Sequence, residues 1–279
     1  MEISINEKPA DIILETEKNV GDVLTGLEQW LEGTGNRLSG LVIDGLVVNA
    51  GEVGDAMKRE LEGIRNMDIR ISPWDELAME ALGGLKEACV LFGDSAFELR
   101  PEIRRGWEES AAAAFISAEI KDLHDLANLS FGGEGLSTGD LRILVEERLR
   151  ELVDPGGEIK NLEKPVSEII RRMEEIPLDV QTGKDGKAAE TIQFFSRIGE
   201  KLFRLLKTLK HRGFLFESFS IDGVPAKGFI NDFSAALREL SAAYGNQDTV
   251  LVGDLAEYEL APRLLKLFSA LKDFSLAEA

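Results

Sequence analysis

The chain has 279 residues, 44% of them hydrophobic and 30% charged, with eight prolines and one cysteine. That composition belongs to chains that bury a core and excludes a disordered or disulfide-stapled one. The formal net charge of −19 works against partners that are bound through phosphate, so neither nucleic acid nor an anionic membrane surface is an expected ligand.

The acids are concentrated in the middle of the chain. Residues 1–73 carry 14 acids against 7 bases, residues 74–160 carry 19 against 9, and residues 161–279 carry 18 against 16. No run approaches the roughly 20 apolar residues of a membrane span, and residues 1–7 have neither the basic nor the apolar part of a leader, so the expected location is the cytoplasm. Cys89 cannot form an internal disulfide and reads as a buried structural thiol.

Residues 1–7 alternate, with Ile3 and Ile5 on one face, and Ile12, Ile13 and Leu14 resume an extended pattern after a turn at Glu7, Lys8 and Pro9, which predicts a hairpin. Val20, Val23, Leu24, Leu27, Trp30 and Leu31 recur at spacings of three and four, the apolar face of a helix ending near Gly33 and Gly35. Apolar runs at 41–43 and 46–48 flank Asp44-Gly45, a two-residue tight-turn signal. A helical pattern over 56–64 follows, and alternation returns at Met67, Ile69 and Ile71.

This order of strand, strand, helix, strands, helix and strand resembles the ubiquitin-like β-grasp fold, in which a mixed sheet wraps one long helix. The resemblance covers residue 1 to about residue 72 and implies a fold, not an activity. Ubiquitin-like modifiers and sulfur carriers act through a free carboxy-terminal Gly-Gly, whereas here the chain runs on into Pro73-Trp74. Gly83-Gly84 lies within a helical pattern, where close packing accounts for small residues.

Ser72 is placed to cap the next helix, with Pro73 first in it and Asp75 three residues after the cap, so the junction is expected to be short and stiff and the two parts to act as one body. Helices are then predicted over 74–92, from Pro101 toward Phe131, and over 138–153, 165–176, 187–211, 231–244 and 249–273. Phe131-Gly132-Gly133-Glu134-Gly135 breaks the second from the third, and Asp248 caps the last. Residues 214–223 look extended, and an apolar connection packed on the bundle is preferred there to a hairpin.

Little catalytic material is present. His124 has Lys121 where a bundle metal site would place Glu, and His211 ends a helix. Gly183-Lys184-Asp185-Gly186-Lys187 lacks the spacing and the following Ser or Thr of a phosphate loop. Arg197, Lys201, Arg204 and His211 share one face of the 187–211 helix; the stripe reads as solvated or docked on the acidic middle segment, or as a docking strip for an acidic protein partner.

In the last helix Leu251, Leu255, Tyr258, Pro262 and Leu265 form one stripe, and Leu260, Leu267 and Leu271 another, the pattern of an element packed between neighbours. Pro262 cannot donate to the Tyr258 carbonyl, which predicts a kink there. Asp254, Glu257 and Tyr258 cluster beside it, as a salt-bridged flank or as groups able to hold a cation or exchange a proton.

The sequence therefore predicts an α+β protein with a β-grasp-like domain over 1–73 and a bundle of roughly seven helices over 74–279. The expected role is non-catalytic interaction or scaffolding with a protein partner, without cofactor, metal, nucleic acid or membrane. The alternatives are a small-molecule or metal-using enzyme with carboxylates near Asp254, Glu257 and Tyr258, and a chaperone of a partner helix.

Overall fold

The computed structural model describes residues 1–212 and 219–277. The chain forms two compact units, Met1–Leu149 and Arg150–Ala279. The class is α+β: a mixed sheet near the amino terminus precedes a helical remainder.

The sheet of the first unit is built from β1 (Glu2–Ile5), β2 (Lys8–Pro9), β3 (Asn36–Ile43), β4 (Leu46–Val47) and β5 (Asn66–Pro73), in the order β2-β1-β5-β3-β4. β1 runs parallel to β5 and β3 antiparallel to it. Alternate side chains leave a strand on opposite faces, so the register that pairs Ile3 with Met67 and Leu41 with Ile69 gathers Ile3, Leu41, Ile43, Met67 and Ile69 on one face. Val20, Val23 and Leu24 of α1 (Val20–Leu31) pack onto that face, and each such burial contributes about 1.5–3 kcal/mol. A capping box starts α1: the Asp22 amide donates to Asn19 Oδ1 at 2.9 Å, and the Asn19 amide to Asp22 Oδ2 at 3.2 Å.

Three local expectations are corrected in this part. Residues 12–15 form no strand; β2 ends at Pro9, and Ile12 and Leu14 turn toward the core with Ile13 exposed, so the alternation is real but no ladder accompanies it. The helix expected over 56–64 is reduced to α2 (Val53–Met57), because the Val20 amide bonds the Arg59 carbonyl and the Leu61 amide the Lys18 carbonyl, which tie 59–61 to residues 18–20 through a bridge between Asn19 and Glu60. Ser72 does not cap a helix. It belongs to β5, where its hydroxyl donates to Ser39 Oγ at 2.9 Å, and Pro73 stands at the cap position without a side-chain bond.

The helices of this unit are α3 (Trp74–Asp94), α4 (Arg100–Glu108), α5 (Ala111–Glu119), α6 (Lys121–Phe131) and α7 (Thr138–Val153), the last of which crosses the division between units. The single long helix expected from Pro101 to Phe131 is thus three. Ser110 interrupts it first, its hydroxyl accepting the Ala113 amide at 3.1 Å and donating to the Trp107 carbonyl at 2.7 Å. Ile120, at φ −136° and ψ 57°, interrupts it again.

Gly84 of α3 lies so close to Ala112 of α5 that a Cβ there would meet the alanine methyl at 3.2 Å, the packing role expected of it, whereas a Cβ on Gly83 would meet nothing within 4 Å. Glu119 ties α3 to the sheet: it accepts from Trp74 Nε1 at 2.9 Å and from Arg37 Nε at 3.1 Å, and the Trp74 amide donates to the Gly35 carbonyl at 2.8 Å.

The second unit holds α8 (Pro155–Asn161), α9 (Glu163–Glu174), α10 (Ile176–Gln181), α11 (Asp185–His211), a two-stranded ribbon of β6 (Ser220–Ile221) and β7 (Val224–Pro225), α12 (Ala226–Gly245), α13 (Thr249–Asp254) and α14 (Ala261–Ala277). Its core includes Ile169, Met173, Leu202, Leu205, Phe195, Phe233, Leu260 and Leu267. Residues 214–218 of the stretch read as a connection lie outside the described residues, while 220–225 form a hairpin around Asp222 and Gly223, both at positive φ, which corrects that preference.

Between α13 and α14, residues Leu255–Leu260 adopt a π-helical turn in which the Ala261 amide donates to the Ala256 carbonyl. Pro262 supplies the reason, since it has no N–H to complete an α-helical bond. The stripe expected through Leu251, Leu255, Tyr258, Pro262 and Leu265 is not a buried one, for Tyr258 and Leu265 are exposed.

Candidate anion-binding site

Two of the basic residues on α11 face acids of their own unit. Arg204 donates from two nitrogens to Glu151, at 2.9 and 2.7 Å, and Lys201 Nζ lies 2.6 Å from Glu158 Oε2 and 3.9 Å from Glu151. Arg197 is exposed and His211 half-buried. The lysines of the 183–187 segment also find acids, with Lys187 Nζ 2.9 Å and Lys184 Nζ 3.8 Å from the buried Asp179. Hydrogen bonding to Asp179, then Glu175, raises the Lys187 pKa.

Asp254 and Tyr258 stand exposed and Glu257 is half-buried on the π turn. The phenol of Tyr258 has a raised pKa, first through its hydrogen bond with Glu257 and then through the charge of that carboxylate. Glu259 pairs with Arg263 one turn on. Among the described residues no group of three His, Cys, Asp or Glu side chains is placed to hold a metal ion, and no helix is long and apolar enough to cross a membrane.

A different place in the first unit carries unspent polar chemistry. A cavity of about 320 Å³ is lined by Phe92 of α3, Arg100 of α4, Ser130 of α6 and the loop residues leading into α7, among them Gly135, Leu136 and Thr138. Phe92 meets Phe131 in a tilted pair with 5.0 Å between ring centroids, and Trp107 lies tilted against Phe131 at 6.3 Å. The Arg100 guanidinium lies over Phe92, 5.2 Å from the ring centre, and 6.0 Å from that of Phe97.

Arg100 Nε is buried without an acceptor, and no carboxylate pairs with Arg100 among the described residues. By contrast, Arg104 one turn on is held by Glu108 at 2.7 Å. Ser130, 5% exposed, has a buried hydroxyl that also lacks a partner, and so does the indole N–H of Trp107. Leaving such a group unpaired costs roughly 1–3 kcal/mol, which a ligand or water recovers by bonding to it.

The loop continues the same chemistry. Gly133 and Gly135 take φ of +80° and +75°, which lets the chain turn from α6 into the start of α7. There Ser137 Oγ accepts the Asp140 amide at 3.1 Å and the Ser137 carbonyl takes the Leu141 amide, which leaves the Thr138 and Gly139 amides without an intrahelical acceptor. Arg100, Ser130 and the start of α7 thus line one cavity, with Phe92 and Leu136 as its apolar residues.

Sequence reasoning missed Arg100 and Ser130, because nothing in their spacing marks them. The only local signal is the glycine-rich run 131–135, which reads as a helix break and nothing more.

Residues 1–73 match the family model described as TP0873 N-terminal domain, and residues 158–269 match one described as Domain of unknown function (DUF8042). The cavity residues lie between the two matches. No solved structure matches the chain. The chain is similar to an uncharacterized protein of Treponema pallidum (strain Nichols), 26% identical over 152 residues that make up 51% of this chain and 76% of that protein.

Proposed function

We propose that the protein is a non-catalytic interaction or scaffold protein, and that it takes an anionic group of its partner in the cavity beside Arg100. The observation that carries this reading is that two residues lining one cavity, Arg100 and Ser130, each hold a buried polar atom without a partner, Nε and Oγ. Such a pair fits recognition of charge by convergent donors.

The sheet order β2-β1-β5-β3-β4, with a parallel pair β1 and β5 and with α1 between β2 and β3, supports a β-grasp-like fold for residues 1–73. That reading bears on shape and adds nothing about chemistry. The test is quantitative affinity capture from the native organism with the full chain and with Arg100→Gln. A partner held by the parent chain and lost at least tenfold with Arg100→Gln supports the proposal; equal recovery with both chains, or no partner, overturns it.

A further inference from the structure

Resting on the reading that the cavity binds an anionic group, we infer that its ligand is the free carboxy-terminal carboxylate of a polypeptide whose last residue is apolar. Charge selects a monoanion. Among the described residues the lining holds one guanidinium and no carboxylate, so its single positive charge balances a carboxylate and leaves a phosphate dianion only half neutralised.

Geometry selects a planar acceptor. With one face of Arg100 on Phe92, only the guanidinium edge is left for hydrogen bonds, and that edge matches a carboxylate fork. Ser130, whose hydroxyl lacks a partner, and Thr138 line the same cavity. Phe92 and Leu136 give the adjoining apolar surface, and the cavity is at the small end of ligand sites, sized for a single terminal residue. Gly133, Gly135 and Leu136 are exposed, so the preceding part of a bound chain leaves through the loop side. Capture of a chain terminus by convergent donors is an established mode of peptide recognition.

The experiment titrates the full-length protein, followed by 1H–15N spectra, with five probes: N-acetyl-leucine, its amide, acetate, inorganic phosphate and the peptide Ala-Ala-Ala-Leu with a free terminus. The expected result is that the peptide and N-acetyl-leucine shift the amides of residues 135–139, with the peptide at least as tight. The amide and acetate should bind at least tenfold more weakly. Arg100→Lys keeps the charge over Phe92 but loses the fork, and should weaken peptide binding about tenfold with an unchanged fold by circular dichroism.

Phosphate binding as tightly as the peptide, equal binding of the amide, a single-residue acid that binds while the peptide does not, or a cavity that answers no probe each overturns the inference. The two proposals fail separately. Probe binding with partner capture unaffected by Arg100→Gln sinks the scaffold reading alone, and capture lost with Arg100→Gln while no probe binds sinks the terminal-carboxylate inference alone.

Discussion

Arg204 grips both oxygens of Glu151, a carboxylate only 2% exposed, through its Nε and a terminal nitrogen. Arg204→Ala leaves that charge buried, with Lys201 3.9 Å away, and is expected to cost about 3–5 kcal/mol in urea unfolding. Arg204→Met combined with Glu151→Met removes both charges together and should cost much less. Equal losses for the single and the double variant would mean that the pair contributes through packing and not through charge.

Glu119 joins Trp74 to Arg37, so Glu119→Leu should destabilise the first unit by about 1–3 kcal/mol, the usual cost of orphaned buried donors. The Trp74 indole N–H resonance should move in the same variant. A resonance unchanged in position would refute the link.

Burial pushes the Cys89 thiol up to about 11, against a smaller opposing effect of Arg142. Because the folded value lies above the unfolded one, the thiol's contribution to stability is complete below the unfolded pKa and is lost as pH rises through about 11. Alkylation at pH 8 should therefore run about 100-fold slower in the native protein than in urea, since the thiolate is the reacting form. Comparable rates in the two states would show the thiol to be accessible.

Asp44 and Gly45 turn β3 into β4 at φ of 51° and 83°, and a Cβ on Gly45 would meet nothing within 4 Å. Gly45→Ala therefore tests conformation without a clash, and an increase in unfolding propensity of about 1 kcal/mol is expected by thermal denaturation. An unchanged midpoint would show that the turn relaxes to another type.

How much of this was legible depended on the range of the interaction involved. The Asp44-Gly45 turn, the α1 face and the Asp248 cap of α13 rest on neighbours a few residues apart, and the sequence displays them directly. Ser72 could have served as either a cap or a strand residue; pairing with Arg37 decided for the strand, a partner 35 positions away. Ser110 carried a cap signal that the surrounding alanines concealed. At the candidate site the informative fact is that Arg100 lacks a carboxylate, and a missing partner leaves no periodicity to read.

The π turn before Pro262 also sets the course of the buried seam along the last helix. Buried positions run Leu255, Leu260, Leu264, Leu267 and Leu271, with a step of five at the π turn and steps of three or four after it. One surplus residue rotates everything beyond it by about 100° relative to what precedes it. A wheel drawn with constant pitch separates Leu255 from Leu260 and Leu267, which share one buried seam. In the folded chain the seam is continuous, and a one-residue deletion within 256–259 combined with Pro262→Ala is expected to keep it so, with α-helical pitch throughout.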